Sequence, residues 1–431
     1  MTTSEASGNA ADGKEPPALR RNRDFVNLWI AESISQVGSH ISIIALPLLA
    51  ISVLNASPSQ MGYLTAAGTA PFLLFGLFVG VWVDRVRRRP LMFAADLARG
   101  ILLLSVPALW WLGELRIEML YAIALMTGFL TLVFDVSWLT FLPSVVRRNQ
   151  LVEANGRLQM SASVAQVSGP GAGGLLVGIA GAPVAILIDA ISFLFSAVFI
   201  LRISSGEIVE TGRESARNVR REIMEGLKFV YHDPILRPLV YSKIVVTYSA
   251  GIFFAVYVLF MADDLQLGAT TIGVVFAIGG VGSLVGASFS KRVSLRSGPG
   301  MSVVGGLFFF GVFGLTIPLA VLIPAVALLM VVLSELLQWM TYIVAQINEV
   351  AIRQVIVPDR YLGRVNSVFQ FFGRGMTPLG AITGGLLGEF VGVPLTLVIA
   401  SAGFFVAFVF VALSPVRTLT AMTADVLDPA T

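Results

Sequence analysis

The chain has 431 residues, 56% of them hydrophobic and 13% charged, with a net charge of +3. A soluble domain carries about a quarter charged residues, so this composition excludes a soluble enzyme, a disordered chain and a disulfide-stapled secreted domain. There is no cysteine, which excludes disulfides, thiolate metal sites and Cys nucleophiles.

Residues 1–24 are polar and rich in Ala, Gly, Ser and Pro, without the apolar core of a signal peptide, and are expected to form a disordered tail. From Phe25 onward, apolar stretches long enough to cross a bilayer, about 20 residues each, alternate with short polar breaks. They predict spans at 25–53, 60–83, 90–112, 118–142, 150–180 and 182–202, which form an N-terminal bundle over 25–203. Residues 204–235 form the longest polar connection. Within it, Ile223, Leu227, Val230 and Tyr231 fall at helical spacing, which predicts a short amphipathic helix on the membrane surface. A second series at 236–261, 268–290, 300–320, 322–350, 360–388 and 391–413 forms a C-terminal bundle over 236–413, followed by a tail at 414–431. The expected fold is therefore an all-α membrane protein, with twelve transmembrane helices in two pseudo-symmetric bundles of six.

The basic residues orient these spans. Arg116 alone falls in an odd-numbered connection, and Arg99, Arg157, Lys243 and Arg374 fall inside spans. The other Lys and Arg lie in the tails, the even-numbered connections or the adjoining span ends. Because basic residues are retained in the cytoplasm during insertion, both termini are expected to be cytoplasmic in a multi-pass protein of the cell membrane. The basic surplus is then a topology signal, with no nucleic-acid partner implied, and no extramembrane segment is large enough for catalysis.

The two halves repeat. Adding 211 takes Gly62 to Gly273, Gly68 to Gly279, Arg85 to Arg296, Asn155 to Asn366 and Gln159 to Gln370. It also takes Gly173–Leu176 to Gly384–Leu387 and Pro183 to Pro394, without a gap. Parallel repeats of this kind belong to transporters that bind substrate between the halves.

Several spans carry polar stripes, although a charge at mid-bilayer costs about 2.5–3.5 kcal/mol. Glu32, Gln36, Ser39 and His40 share a face of span one, and Thr127, Thr131, Asp135 and Trp138 share a face of span four. Span ten carries Glu335, Gln338, Tyr342, Gln346, Glu349 and Arg353. Span seven carries Lys243 and Thr247, and spans five and eleven carry Asn155, Gln159, Gln166 and Asn366, Gln370, Arg374. These helices are expected to surround a wet cavity. Its candidate lining is Gln36, Trp138, Asn155, Gln159, Lys243, Gln338, Tyr342, Gln346, Gln370 and Arg374. Glu32, Asp135 and Glu335 are candidates for exchanging a proton as the cavity opens. The competing reading for Glu32 and Asp135 is a permanent ion pair with Arg157 or Lys243. His40 is either a relay or a hydrogen-bonded wall residue, and Asp189 receives no role. Two histidines cannot make a histidine-rich metal site, and no cofactor is expected.

The connection after span two reads Gly80-Val-Trp-Val-Asp84-Arg85-Val-Arg87-Arg88-Arg89. It resembles the signature loop of the major facilitator superfamily, G-x-x-x-D-[RK]-x-G-[RK]-[RK], with Arg87 in place of the glycine. The resemblance implies that Asp84 holds the start of span eleven near Gly363 and Arg364 when the inner side is closed. Gly80, Arg85, Arg88 and Arg89 belong to that gate, with Asp96 and Arg99 as a structural pair; alternatively, the arginines only set topology. Gly169-Pro170-Gly171-Ala172-Gly173-Gly174 looks like the G-P-x-x-G-G core of the superfamily's antiporter motif, read either as a determinant of direction or as close helix packing. Asn22-Arg23-Asp24-Phe25, Asp96-x-x-Arg99 and the run Leu142 to Asn155 are similar to the third drug:proton antiporter family, which includes macrolide-efflux and enterobactin-export proteins.

What this implies is a proton-coupled exporter of amphipathic small molecules such as drugs, antibiotics, natural products or siderophores, working as a monomer by alternating access. Its partners would be cargo, protons and the bilayer. The alternatives are a lipid or lysophospholipid mover or an importer of the same fold, and, from another class, a non-transporting sensor or intramembrane enzyme.

Overall fold

The structure, a computed structural model, describes residues 19–83, 85–204 and 219–420. Twelve of its helices run for 20 to 33 residues: α1 (Arg23–Ser52), α2 (Pro58–Val83), α3 (Arg88–Trp111), α4 (Ile117–Val145), α5 (Leu151–Ala180), α6 (Ala182–Leu201), α8 (Leu236–Leu259), α9 (Ala269–Ser297), α10 (Pro299–Leu319), α11 (Ala327–Ile356), α12 (Asp359–Val391) and α13 (Val393–Ala412). The thirteenth, α7 (Val219–His232), is a 14-residue helix in the central connection. Among the described residues nine helices are long and apolar enough to cross a membrane. Twelve crossings bring the chain back to the side where it began, the tail side; the opposite side is the far side.

Short caps and turns fix the ends. Asn22 caps α1 by accepting from the backbone N–H groups of Asp24 and Phe25, and its amide donates to Val145 O at 2.9 Å. The Asp24 carboxylate accepts from Ser204 N at 2.9 Å. This polar start to α1 therefore stitches the ends of α4 and α6 together. On the far side, Gly181 and Gly392 take φ of +85° and +87° at the equivalent α5–α6 and α12–α13 turns, a left-handed backbone that disfavours other residues.

Helices α1–α6 and α8–α13 pack as two bundles. The amphipathic helix α7 packs on α12. Phe229 stacks on Tyr361 at 4.9 Å, Glu225 pairs with Arg364 at 2.6 Å, and a Cβ on Gly226 would lie 2.9 Å from Arg364 O. The two halves touch through α2 against α12 and α5 against α9. Both contacts lie toward the far side and are backbone to backbone. A Cβ on Gly62 would fall 2.6 Å from Gly385 Cα and 2.6 Å from Ala381 O; one on Gly273 would fall 2.7 Å from Gly174 Cα and 2.6 Å from Pro170 O. The 211-residue repeat maps one seam onto the other. Glu389 reinforces the first by accepting from Ser59 N at the start of α2, at 3.3 Å.

No side chain can enter these seams without parting the helices. Gly385→Val is expected to open the far side at the expense of the conformation described. In this cysteine-free chain, labelling of an Asn155→Cys reporter from the tail side should slow at least fivefold, about 1 kcal/mol; unchanged labelling would show that the seam does not hold the far side shut.

Candidate functional site

Toward the tail side the halves part around a cavity of about 810 Å³. Its wall comes from α1 (Glu32, Gln36), α2 (Phe72, Gly76), α4 (Asp135, Trp138), α5 (Asn155, Gln159) and α12 (Ser367, Gln370, Phe371, Arg374). The depth of these residues gives its direction. Glu32 is nine residues into α1, about 13 Å at 1.5 Å per residue, Asn155 is one turn into α5, and Ser367 is two turns into α12. The cavity therefore faces the tail side and ends below the glycine seams.

Of the candidate lining, Gln36, Trp138, Asn155, Gln159, Gln370 and Arg374 meet here, together with Glu32 and Asp135. Lys243, Tyr342 and Gln346 do not. They line a small recess inside the C-terminal half, where Lys243 pairs with Glu349 at 3.7 Å and Glu349 with Arg353 at 3.3 Å. Gln338 is buried against α10, its amide 3.5 Å from Phe310 O. Glu335 is likewise off the cavity wall, accepting from Tyr257 Oη and Trp339 Nε1, each at 2.8 Å. The span-ten stripe thus points into its own half, where α8, α9 and α10 satisfy it. His40 abuts Gly169 on α5 and is not part of the wall.

The charges of the site divide by partner. Asp135 binds Arg374 at 3.3 Å, across the boundary between halves, and the Arg374 guanidinium also lies 4.8 Å from the centre of the Phe72 ring. One arginine of the C-terminal half is thus held by two elements of the N-terminal half. The pairing expected for Asp135 with Arg157 or Lys243 is corrected: Arg157 pairs with Glu153 at 2.7 Å. Glu32 has no cation. Its Oε1 accepts from Gln36 at 2.7 Å, and its Oε2 is buried without a partner, as is the indole N–H of Trp138. Both residues border the cavity, but these two atoms are themselves buried, so they become available only when the wall shifts.

The gate candidates are scattered. Asp84 lies outside the described residues. Gly80 and Gly363 have open space where a Cβ would stand. Arg85 is exposed at the end of α2, and Arg88 is half-buried at the start of α3. Arg89 donates to Ile200 O at 3.2 Å and to Leu201 O, closing the end of α6. Arg364 is held by Glu225. Asp96 and Arg99 pair inside the N-terminal bundle. The antiporter-type motif packs α5 on both neighbours: Gly169 and Gly173 face His40 and Ile41 of α1, and Gly174 forms the seam with Gly273, beneath which Pro170 places its carbonyl. Phe72, Gly76, Ser367 and Phe371 were missed as wall residues. Ser367 and Phe371 continue the Gln370–Arg374 face at helical spacing, whereas nothing in the order of residues marks Phe72.

Two parallel six-helix halves around a central cavity define a secondary transporter of the major facilitator fold. The chain belongs to the transmembrane secretion effector family of that superfamily, whose profile matches residues 16–429. It is 26% identical to the multidrug efflux pump Tap of Mycolicibacterium fortuitum over 84% of this chain and 89% of that protein. It is also 26% identical to the enterobactin exporter EntS of Shigella dysenteriae, over 81% and 82% respectively. Among solved structures, a bacterial homologue of the iron transporter ferroportin in its inward-facing state superposes with a TM-score of 0.72 at 19% identity, covering 90% of this chain and 98% of that one. The outward-facing state of that homologue gives 0.58. The likeness stops at the fold: among the described residues no three His, Asp or Glu side chains converge on a possible metal position.

The Asp135–Arg374 pair is part-exposed, at 39% and 58%, so its contribution is expected to be small, up to about 1 kcal/mol. A double-mutant cycle of Asp135→Asn and Arg374→Gln, read by thermal unfolding of the purified protein, should return a favourable coupling of about 0.5–1 kcal/mol. A coupling of zero would show that the two side chains do not act on one another.

Proposed function

We propose that this protein is a proton-driven exporter of amphipathic small molecules, with both termini in the cytoplasm and the cavity open to that side. The observation that carries the reading is Glu32: a carboxylate on the cavity wall, without a cation, with one oxygen unused. A carboxylate in that position exchanges a proton whenever the cavity is wet, and a cargo with a hydrogen-bond donor or a positive charge competes for the same oxygen. Trp138, Phe72 and Phe371 supply the apolar face that an amphipathic cargo needs, and Gln36, Asn155, Gln159 and Gln370 supply neutral polar contacts.

Asp135 is the second exchange site. A proton there removes the charge that holds Arg374 and so loosens the tie between α4 and α12. Cargo loading lets the halves rock about the cavity, closing the tail side and parting the glycine seams, and protons taken up from the far side drive the return. Asp84 and its neighbours would hold the closed inner side. The efflux activity of Tap and the enterobactin export of EntS favour the outward direction. Glu335, sealed inside the C-terminal half, would take part only after that half opens. A monomer suffices, because each element of the cavity comes from one chain.

Inverted membrane vesicles loaded with an imposed pH gradient and offered ethidium test the reading. Glu32→Gln should lower gradient-driven uptake at least tenfold while leaving ethidium counterflow intact. Gradient-driven uptake equal to the unaltered protein would remove Glu32 from the coupling. Movement of a labelled lysophospholipid in place of ethidium would favour the lipid-mover reading.

A further inference from the structure

The interior of the N-terminal half holds a charged column away from the cavity wall. Asp189 on α6 is 1% exposed; it accepts from Ser42 of α1 and, at 3.2 Å, from Ser192. Farther toward the tail side, Asp96 on α3 pairs with Arg99 and accepts from Ser196 at 2.5 Å. The Arg99 guanidinium lies between the rings of Phe134 and Phe193, 4.6 and 4.3 Å from their centres. Two carboxylates thus share one cation, and Asp189 is the one left over.

The internal repeat shows that the fold does not need these charges. Adding 211 takes Ser42, Asp96, Arg99, Asp189 and Ser196 to Phe253, Leu307, Phe310, Ala400 and Ala407, all buried and apolar. The surrounding geometry is kept: Phe310 lies 4.4 Å from Phe404, as Arg99 lies 4.3 Å from the equivalent Phe193. The close helix crossing is kept too. Gly38 of α1 receives Ser192 of α6 in one half, and Gly403 of α13 receives Ser249 of α8 in the other, with the small residue exchanged between partners. One half is packed with hydrocarbon where the other carries a carboxylate, which in a bilayer is costly without a cation.

We infer that Asp189 is a buried proton-binding site of the N-terminal half, the place where this half holds the inward-moving proton on the return step, when Glu32 is free of cargo. The inference rests on the proton-driven reading above. The charged groups that act on Asp189 are Arg99 and Asp96, both on α3; the facing part of α1 offers only the Ser42 hydroxyl, because His40 turns to Gly169 on α5. Arg99 and Asp96 also act on Glu32. A proton leaving the Asp189 carboxyl restores its negative charge, which draws on Arg99 and changes the field at Glu32. Ser192, which donates to Asp189, and Ser196, which donates to Asp96, stand one turn apart on α6 between the two carboxylates.

The test uses the full chain in proteoliposomes with ethidium as the probe. Asp189→Asn keeps the shape and hydrogen-bonding capacity of the side chain, and Asp189→Ala copies the residue that the other half holds. Both are expected to fold and to retain ethidium counterflow, with gradient-driven transport reduced at least tenfold. In infrared difference spectra of the protein in lipid, both should also lose the carbonyl band of a buried protonated carboxyl. If the unaltered protein ignores a pH gradient, the proton-driven reading itself fails. If the unaltered protein responds and the variants match it in transport and in the carbonyl band, Asp189 is not a proton site. Failure of both variants to fold, or replacement of the proton requirement by one for Na⁺, would equally overturn the inference.

Discussion

An ionised group inside an apolar bundle has no water to fall back on, so it must be paired, neutralised or placed beside a cavity. That constraint organises this protein. Lys243 and Arg353 share Glu349 within the C-terminal half, Asp96 and Arg99 neutralise one another within the N-terminal half, and Asp135 and Arg374 do so across the two. Three carboxylates well inside the helix bundles, Glu32, Asp189 and Glu335, make no ion pair among the described residues. Glu32 meets the cavity, whereas Asp189 and Glu335 are sealed and held by side-chain donors. These three carboxylates are thus distributed over the cavity and both halves, which is the arrangement that the proposed proton coupling would use.

The second organising feature is the far-side closure. Because Gly62, Gly174, Gly273 and Gly385 lack side chains, two pairs of long helices approach through backbone alone. These extensive helix contacts contain no ion pair among the described residues, so they can part without stranding a charge. The tail side is different: there the halves part around the cavity and meet through the Asp135–Arg374 pair, while α7 braces the start of α12 within the C-terminal half through Glu225–Arg364 and Phe229–Tyr361. The two ends of the rocking motion therefore rest on different chemistry.

Much of this was legible in the order of residues. Apolar runs gave the twelve helices, and the ungapped offset of 211 gave the two halves, because both signals are local or periodic. Boundaries slipped where a helix runs past the hydrocarbon: span four continues to Val145 and span eight to Ser297. Stripes correctly marked Glu32, Asp135, Gln159 and Arg374 as facing something polar, but not which partner they face. The Asp135–Arg374 pair joins residues far apart in sequence, and only the approach of the halves brings them together. The stripe on span ten was misleading for the same reason: Glu335, Gln338 and Tyr342 are polar on one face, and that face turns to neighbours within its own half. Asp189 was visible as an outlier, and its meaning emerged only when its repeat partner, Ala400, was seen packed in the equivalent place.

The most direct measurement of the account is the distance across each end of the molecule, read by spin labels on single cysteines in this cysteine-free chain. One pair would sit on the far side, Glu118→Cys with Gln266→Cys, and one on the tail side, Val152→Cys with Asp359→Cys. On moving from mildly alkaline buffer to acid buffer, the far-side distance should shorten and the tail-side distance lengthen together, and Glu32→Gln should abolish the response. Distances that stay fixed, or ends that move independently of one another, would contradict a proton-controlled rocking of the two halves.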